Sequence, residues 1–401
     1  TFDAACAPLF LAALFLLLLF WPGLRNRREV TDPLSGVDPP SPAPASSLRT
    51  PGMTMFTRAL AVTVTVLVSV GVAWVFDDFW VLLFATGVVY AIIFCSFTVI
   101  TGMGGLLSLS QAAFAGIGAF TTAQLVDRYD LQVLMAVLVG ALLAALVGGV
   151  FALPVLRLEG LYLALATLAF AAMFEFVVLP QDWAAGQYTT LDVPRPIIGS
   201  IDFTSTRAYY FLCVGILALV SGAVLLVKQG TVGRYLDALR GSEVAAASVG
   251  IDPRRARVTA FALSAGIAGL GGGLLASLDG RINLLSYNFI QGLVWVVLVV
   301  TLGPRALQAA ITAGIMFKLF PELISRVDIS ALPDTFNPAQ NPQALAFALF
   351  GLGALTYAKH PEGIIEHQTA RSLQRINRLR NRSAADAPDA ADAAEPAEAT
   401  A

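Results

Sequence analysis

The feature that most constrains this chain is a series of apolar runs, each close to the length that crosses a lipid bilayer. A transmembrane helix needs roughly 20 mainly apolar residues. Hydrocarbon offers no partner for an unpaired backbone group, so such runs must be helical. The predicted spans are 59–76, 80–100, 111–126, 131–153, 161–180, 208–228, 257–278, 289–303, 306–320 and 343–358. The predicted fold class is an all-α integral membrane protein, a bundle of about ten transmembrane helices with a cytoplasmic coupling helix.

Composition supports a membrane protein and removes most enzyme classes. Hydrophobic residues make up 57% of the chain and charged residues 13%, and the mean hydropathy is +0.74. Soluble domains carry about twice that charged fraction. His360 and His367 lie in the polar C-terminal segment, and Cys6, Cys95 and Cys213 sit in apolar runs without a CxxC pair. We therefore expect no catalytic residue, no metal site, no cofactor and no nucleic-acid partner.

Positive charge is concentrated in three segments that are predicted to face the cytoplasm. These are 25–58, 228–257 and the C-terminal tail after the last span. An even number of predicted spans separates each from the next, so all three fall on one side of the membrane. The positive-inside rule makes that side cytoplasmic. The loops at 181–207 and 321–342 then fall on the opposite side.

The longest cytoplasmic segment between two spans predicts a short helix over 234–250. Gly250 suits a left-handed helix end, and Asp252 followed by Pro253 suits the cap and first turn of the next helix. Residues of one face of the short helix are small enough for another surface to approach closely. That face comprises Glu243, Ala246 or Ala247, and Gly250. The alternative is an amphipathic connector that lies on lipid headgroups.

The stretch 101–118 is rich in glycine, alanine and serine and predicts a broken or re-entrant segment, which is tolerated only where protein or water covers it. Ser108, Ser110 and Gln111 are its polar members and the candidates for lining a pathway. The alternative is that these side chains only bond neighbouring helices. Glu175, in the span 161–180, is a further pathway candidate, because an ionisable residue inside a membrane is often functional.

Two other patterns favour structural roles. Lys318 and Glu322 lie four residues apart near the end of a span, and we interpret them as an interfacial pair that snorkels outward. The run GLGGG at 269–273 predicts close helix packing rather than a nucleotide loop, because it lies within an apolar helix.

Several blocks resemble the branched-chain amino acid ABC transporter permease family. They are GGLLSLSQAAFAGIGAF at 104–120, GLYLALATLAF at 160–170, GRYLDALRGSEVAAASVGI at 233–251, AFALSAGIAGLGGGLLA at 260–276 and PEGI at 361–364. The chain departs from the family at Ser110-Gln111, where a Gly-His or Gly-Gln pair is common. The residues that match those engaging the ATPase in the family are Glu243, Ala245, Ala246 and Gly250.

The resemblance implies an importer permease in the cytoplasmic (inner) membrane of a bacterium. Its cargo would be branched-chain amino acids or related small polar solutes. The implied partners are the lipid bilayer, a second permease subunit (homologous or fused), two cytoplasmic ATP-binding subunits and an extracytoplasmic solute-binding protein.

Two other function classes compete with an ATP-driven permease. An ion-coupled secondary transporter is expected to place carboxylates in mid-membrane, and this chain offers Glu175 at best. An intramembrane enzyme is expected to carry catalytic side chains in its spans. The predicted spans of this chain hold no histidine, no clustered cysteines and no visible carboxylate pair, although a serine-based site stays open. The chain holds no G-x-x-x-x-G-K-[ST] motif, so ATP hydrolysis is expected on a separate subunit.

The sequence divides into four regions. Residues 1–24 form an apolar segment that resembles the last span of a preceding fused permease half. Residues 25–58 form a Pro/Ser-rich cytoplasmic linker, and residues 59–358 form the transmembrane permease domain. Residues 359–401 are first basic and then acidic, and they are expected to be disordered in the cytoplasm.

Overall fold

The computed structural model describes residues 69–158, 160–181, 190–198, 201–326 and 341–359. The predicted apolar segment 1–24, the linker 25–58 and the tail beyond Lys359 lie outside the described residues. Residues 69–75 are helical, which accounts for the described part of the first predicted span.

Helices dominate the described residues. They are α1 (Asp78–Phe97, continued by the π-helical Thr98–Met103), α2 (Gln111–Tyr129), α3 (Val133–Val155), α4 (Gly160–Met173, continued by the π-helical Phe174–Val178), α5 (Thr206–Gln229), α6 (Thr231–Gly241), α7 (Glu243–Ser248), α8 (Pro253–Asp279), α9 (Phe289–Leu302), α10 (Leu307–Ser325) and α11 (Pro342–Lys359). Every span predicted between residues 80 and 358 coincides with one of these helices. The prediction ended one span at residue 320, but α10 continues past Pro321, whose missing N–H removes only one bond of the helix.

Six of the described helices are long and apolar enough to cross a membrane. They are Asp78–Met103, Val133–Val155, Gly160–Val178, Thr206–Gln229, Pro253–Asp279 and Leu307–Ser325. Two shorter apolar helices are Phe289–Leu302 and Pro342–Gly353. Helix α2 has 19 residues but is not among these candidate spans, chiefly because it contains Gln111, Gln124, Asp127 and Arg128. The structure is thus a mainly helical membrane protein.

The described residues also include four short strands, which the sequence did not predict. Strand β1 (Thr190–Asp192) pairs antiparallel with β4 (Arg281–Asn283), and β2 (Ile197–Ile198) pairs with β3 (Ile201–Asp202). They lie in the connections before α5 and after α8. They were missed because two or three residues are too few to show an alternating pattern.

The connections between helices gather at two opposite ends of the bundle. We call the end that carries the strands the sheet end. There the starts of α1 and α5 are joined by Asp78 and Arg207, whose Oδ1 and Nε atoms lie 3.4 Å apart. Gln132, just before α3, donates to the Ile197 carbonyl at 3.1 Å. The guanidinium of Arg326, just after α10, lies 4.6 Å from the ring centre of Trp80.

The other end, which we call the basic end, holds the connections from α5 to α8 and from α9 to α10. Lys228 Nζ donates to the Arg305 carbonyl at 3.1 Å, and Arg240 Nη1 donates to the Gly102 carbonyl at 2.7 Å. Helix α1 begins at the sheet end and its π-helical continuation ends here. The bundle therefore has two chemically different ends.

Helix α8 lies at the centre of the bundle and packs against α1, α2 and α3. Its glycines allow this approach. A methyl group added at Gly269 would press on Ala144, one added at Gly272 would overlap the Ala115 carbonyl, and one added at Gly118 of α2 would overlap the backbone of Gly269. The predicted packing role of residues 269–273 is confirmed.

Replacing Gly272 by alanine should destabilise the bundle, because the added methyl must push α2 away from α8. We expect a loss of about 1–3 kcal/mol in the free energy of unfolding, measured as a lower midpoint of thermal unfolding in detergent. Gly215→Ala is the matched control, because nothing lies within 4 Å of the carbon it adds in α5. Equal midpoints for the two variants would contradict the close-packing interpretation.

Candidate functional site

The predicted break in the stretch 101–118 is present, and it lies between the π-helical end of α1 and the start of α2. Gly105 adopts a left-handed conformation (φ +65°), and the Leu106 amide donates to the Ile100 carbonyl at 3.2 Å. This is the pattern of a Schellman-type helix end, which glycine favours. Residues 105–110 then run without regular structure until α2 begins at Gln111.

Gln111 joins three helices in the interior of the bundle. Its Oε1 atom accepts from Ser96 Oγ of α1 at 3.1 Å, and its Nε2 atom donates to Ser264 Oγ of α8 at 2.8 Å. The residue is 1% exposed. The glutamine therefore satisfies its amide with partners that lie far away in the sequence, as a buried polar group must.

The residues before Gln111 form the rest of this buried polar cluster. Ser108 Oγ and Ser110 Oγ lie 2.9 Å apart, and the Leu109 amide donates to Thr167 Oγ1 of α4 at 3.0 Å. Both serines are buried completely. In this conformation residues 108–111 are buried and fastened to the surrounding helices, so their polar side chains bond to protein rather than to a solute.

Glu175 lies apart from this cluster. It stands in the π-helical continuation of α4, is partly exposed, and accepts at Oε2 from the Phe289 amide at 2.8 Å. Phe289 is the first residue of α9, and Asn288 caps this helix, since its side chain accepts from the Gln291 amide. A carboxylate at a helix N-terminus is favourable because the free amides and the helix dipole attract negative charge. The structure thus gives Glu175 a capping contact at α9.

The predicted pair of Lys318 and Glu322 is wrong. Glu322 Oε1 lies 3.7 Å from Nη2 of Arg326, one turn further along the chain. Lys318 instead interacts electrostatically with Asp279 at the end of α8. The sequence spacing allowed either partner on the helix, since residues three or four apart share a face.

The segment predicted as one helix over 234–250 is two helices, α6 and α7. Ser242 separates them in an extended conformation, and its side chain accepts from the Ala245 amide at 3.2 Å. Serine favours this cap over a helix interior because its hydroxyl replaces a missing backbone partner. The segment therefore turns at Ser242 instead of running straight.

Both predicted helix-end signals after α7 are confirmed. Gly250 is left-handed, with φ +86°. Asp252 caps α8, accepting from the amides of Arg254 and Arg255, and Pro253 occupies the first turn. These signals are local, so they could be found from the sequence.

The predicted docking residues of α7 have different environments. Glu243 forms an ion pair with Arg257 of α8, with Oε2 and Nη2 atoms 2.7 Å apart. Ala246 is 3% exposed and packs inside the subunit. Ala245 and Gly250 are exposed, as is Val249 beside them, at 74%. The exposed surface of α7 is therefore small and largely apolar.

Arg240, at the end of α6, is a candidate that sequence reasoning missed. It bonds the carbonyl of Gly102, which is 138 residues away in the chain. A single arginine in a basic loop indicates only sidedness, so no local pattern could have identified the partner.

A family model described as the permease component of branched-chain amino acid transport systems matches residues 80–352. The high-affinity branched-chain amino acid transport system permease protein LivM of Escherichia coli (strain K12) is 30% identical over 261 residues, which cover 59% of this chain and 61% of the relative. LivM of Salmonella typhimurium is 29% identical over 261 residues, which also cover 59% of this chain and 61% of the relative. The chain thus matches 61% of the length of these relatives. No solved structure matches.

Replacing Gln111 by leucine should weaken the joint between α1, α2 and α8, because Ser96 and Ser264 both lose a partner. Interhelical hydrogen bonds in membranes average about 0.6 kcal/mol each, so we expect a loss of about 1 kcal/mol in thermal-unfolding experiments. Gln308→Leu is the control, because Gln308 is exposed on α10. An unchanged midpoint for Gln111→Leu would show that these bonds do not hold the helices together.

Proposed function

The chain belongs to the permease components of branched-chain amino acid transport systems. We therefore propose that it forms a transmembrane permease subunit of an ATP-driven importer. The family is a transport component and not an enzyme, and the chain is a multi-pass protein of the bacterial inner membrane. The observation that carries the proposal is the family match over 80–352, which includes both the broken segment and α6–α7. It gives no support to the ion-coupled alternative.

The proposed cargo is a branched-chain amino acid or a related small polar solute. The relatives in Escherichia coli and Salmonella typhimurium are named for branched-chain amino acid transport. The buried cluster offers hydroxyl and amide groups. Such groups suit a small solute that must be released again, because neutral hydrogen bonds are weaker than charge-assisted ones.

The proposed partners are a second permease subunit, two ATP-binding subunits and an extracytoplasmic solute-binding protein. In this arrangement about ten spans cross the bilayer and the basic end faces the cytoplasm. The supporting observation is the concentration of cations at that end, which the positive-inside rule favours. They are Lys228, Arg234, Arg240, Arg254, Arg255, Arg257 and Arg305.

The proposed contact with the ATP-binding subunits is made by α7. Ala245 and Gly250 are exposed and have small side chains or none, so another protein surface can approach the backbone of this segment closely. Ala246 anchors the helix from its inner face, and Glu243 is fixed by Arg257. A partner that pushes on α7 would therefore also move the first turns of α8, to which the helix is bonded.

The proposed solute path passes Ser108, Ser110 and Gln111 and approaches Glu175 toward the sheet end. These groups are bonded to protein in the structure, so transport requires a second conformation in which 104–110 separates from its neighbours. The close packing of α8 leaves the path shut until that happens.

The function is tested by uptake of radiolabelled leucine into membrane vesicles that hold the permease with its second permease subunit and its ATP-binding subunits, with the solute-binding protein added on the extracytoplasmic side. We expect uptake to need ATP and to continue when an ionophore dissipates the proton gradient at constant ATP. Uptake that collapses with the gradient would instead identify an ion-coupled transporter.

Glu243→Arg and Gly250→Val should each reach the membrane but lose ATPase association and leucine uptake together. The first breaks the ion pair with Arg257, and the second strains a left-handed residue by roughly 1 kcal/mol or more. Co-purification of the ATPase and vesicle uptake measure both effects. Asp127→Arg at the sheet end and Gly241→Val, where nothing lies within 4 Å of the added carbon, are the controls. Normal association in both test variants would make α7 a simple connector.

Ser110→Cys in a cysteine-free background should be silent to a water-soluble thiol reagent at rest, because Ser110 is buried. We expect labelling to appear when ATP and leucine drive turnover. Leu107→Cys is the positive control, since Leu107 is 43% exposed. If Ser110→Cys stays unlabelled in every transport state, the broken segment serves packing and not passage.

A further inference from the structure

Arg240 caps the end of α1 from a different part of the chain. Its Nη1 atom donates to the Gly102 carbonyl at 2.7 Å. The last carbonyls of a helix have no partner within the helix, and the helix dipole makes them partly negative. A guanidinium donor to such a carbonyl forms a charge-assisted bond, which is stronger than a neutral one. The bond therefore ties α6 firmly to the broken segment.

Gly102 lies where three connections meet at the basic end. A methyl group added there would overlap the carbonyl of Pro304, and the neighbouring Arg305 carbonyl accepts from Lys228 of α5. A methyl group added at Gly105 would lie in van der Waals contact with the Arg240 side chain. A displacement of α6 is thus transmitted directly to the end of α1.

The end of α1 is wound as a π-helix over Thr98–Met103. The Gly104 amide donates to the Val99 carbonyl at 3.1 Å, five residues back. Such π-helical turns are rare and are found frequently at functional sites. A π-turn holds one residue more than the α-helical turn that would replace it, so rewinding it would release one residue of chain toward 104–110.

Two threonine hydroxyls mark this segment as unusual. Thr98 Oγ1 and Thr101 Oγ1 are buried without a hydrogen-bond partner. In α-helical parts of the same protein, the hydroxyls of Thr86, Thr121 and Thr122 all donate to the carbonyl four residues back. A buried hydroxyl without a partner is unfavourable. Thr98 already follows α-helical residues, whereas Thr101 lies inside the π-helical turn. Rewinding as an α-helix would bring the Phe97 carbonyl to Thr101, so that hydroxyl would gain a partner in the second state.

We propose that Arg240 is a positioning residue that couples movement of α6–α7 to a change in winding of 98–103 from π-helix to α-helix. This change frees the segment that carries Ser108, Ser110 and Gln111. The proposal rests on the proposed function, because it assigns the step between the motor contact and the solute path.

The first test compares Arg240→Gln and Arg240→Lys in the assembled importer. We expect Arg240→Gln to assemble with the ATPase and hydrolyse ATP, but to move at least tenfold less leucine per ATP. Arg240→Lys keeps a cation and should recover part of the loss. Ser110→Cys in the Arg240→Gln background should stay unlabelled during turnover. Arg234→Gln, an exposed cation of the same helix, is the matched control.

Two outcomes would overturn the assignment. Wild-type coupling in Arg240→Gln means that the bond to Gly102 carries no motion. Loss of ATPase binding in that variant means that Arg240 belongs to the docking surface. If the wild-type importer itself moves no leucine with ATP, the proposed function fails first, and the two failures are therefore distinguishable.

The second test uses the two threonine hydroxyls that make no hydrogen bond in the present conformation. Thr98→Val and Thr101→Val remove no hydrogen bond from this state, so the double variant should fold, assemble and bind the ATPase normally. It should nevertheless transport more slowly, because the second state loses the bond that the Thr101 hydroxyl would gain. Thr121→Val, which loses its bond to the Ile117 carbonyl in either winding, is the control. Wild-type transport by the double variant would rule out the rewinding step.

Discussion

The whole structure depends on how closely α8 approaches α2 and α3. Lipid tails are as apolar as leucine side chains, so helices in a bilayer gain little from hiding apolar surface from one another. What remains is van der Waals contact, which falls off steeply with distance. Gly118, Gly269 and Gly272 remove the side chains that would keep these backbones apart. Helix α8 can therefore occupy the centre of the bundle, where it reaches α1, α2 and α3 together.

This central position of α8 also decides what the polar residues do. It brings Ser264 within 2.8 Å of Gln111, which in turn contacts Ser96. The buried cluster is satisfied, so the bundle is closed and well defined in this conformation. At about 0.6 kcal/mol per interhelical bond, opening its few contacts costs only about 2 kcal/mol. The hydrogen bonds of the cluster are thus a small part of what holds these helices together, and the close packing of α8 supplies most of the rest.

The sequence revealed the parts of this fold that depend on local chemistry. Apolar length predicted the helices between residues 80 and 358, six of which are long enough to cross a membrane. Gly250 and Asp252 predicted the helix ends around α7, and the glycines of 269–273 predicted the close packing. The break near 101–118 was also predictable, because its composition favours neither a core strand nor a continuous apolar helix. These features share one property, since the residues that cause each of them are neighbours in the chain.

The remaining features depend on partners that are distant in sequence. No pattern of neighbouring residues predicts three of the contacts. They are the bond from Arg240 to Gly102, the contact of Glu175 with Phe289 and the pairing of β1 with β4. Ser242 is a different case, because a serine cap is a local signal that was outweighed by helical spacing on both sides. The π-helical turn at the end of α1 likewise has no sequence signal. In the structure it is accompanied by two buried threonine hydroxyls without a hydrogen-bond partner.

The cations at the basic end show how one set of residues serves two physical requirements. Positive charge next to the spans favours one orientation during insertion, whatever its exact position. Lys228, Arg240 and Arg257 also make specific contacts, to the carbonyls of Arg305 and Gly102 and to the Glu243 carboxylate. Orientation needs only the charge, whereas the contacts need the geometry of each side chain. A substitution that preserves charge but changes reach, such as lysine for arginine, therefore separates insertion from the mechanical link between α6, α7 and the transmembrane helices.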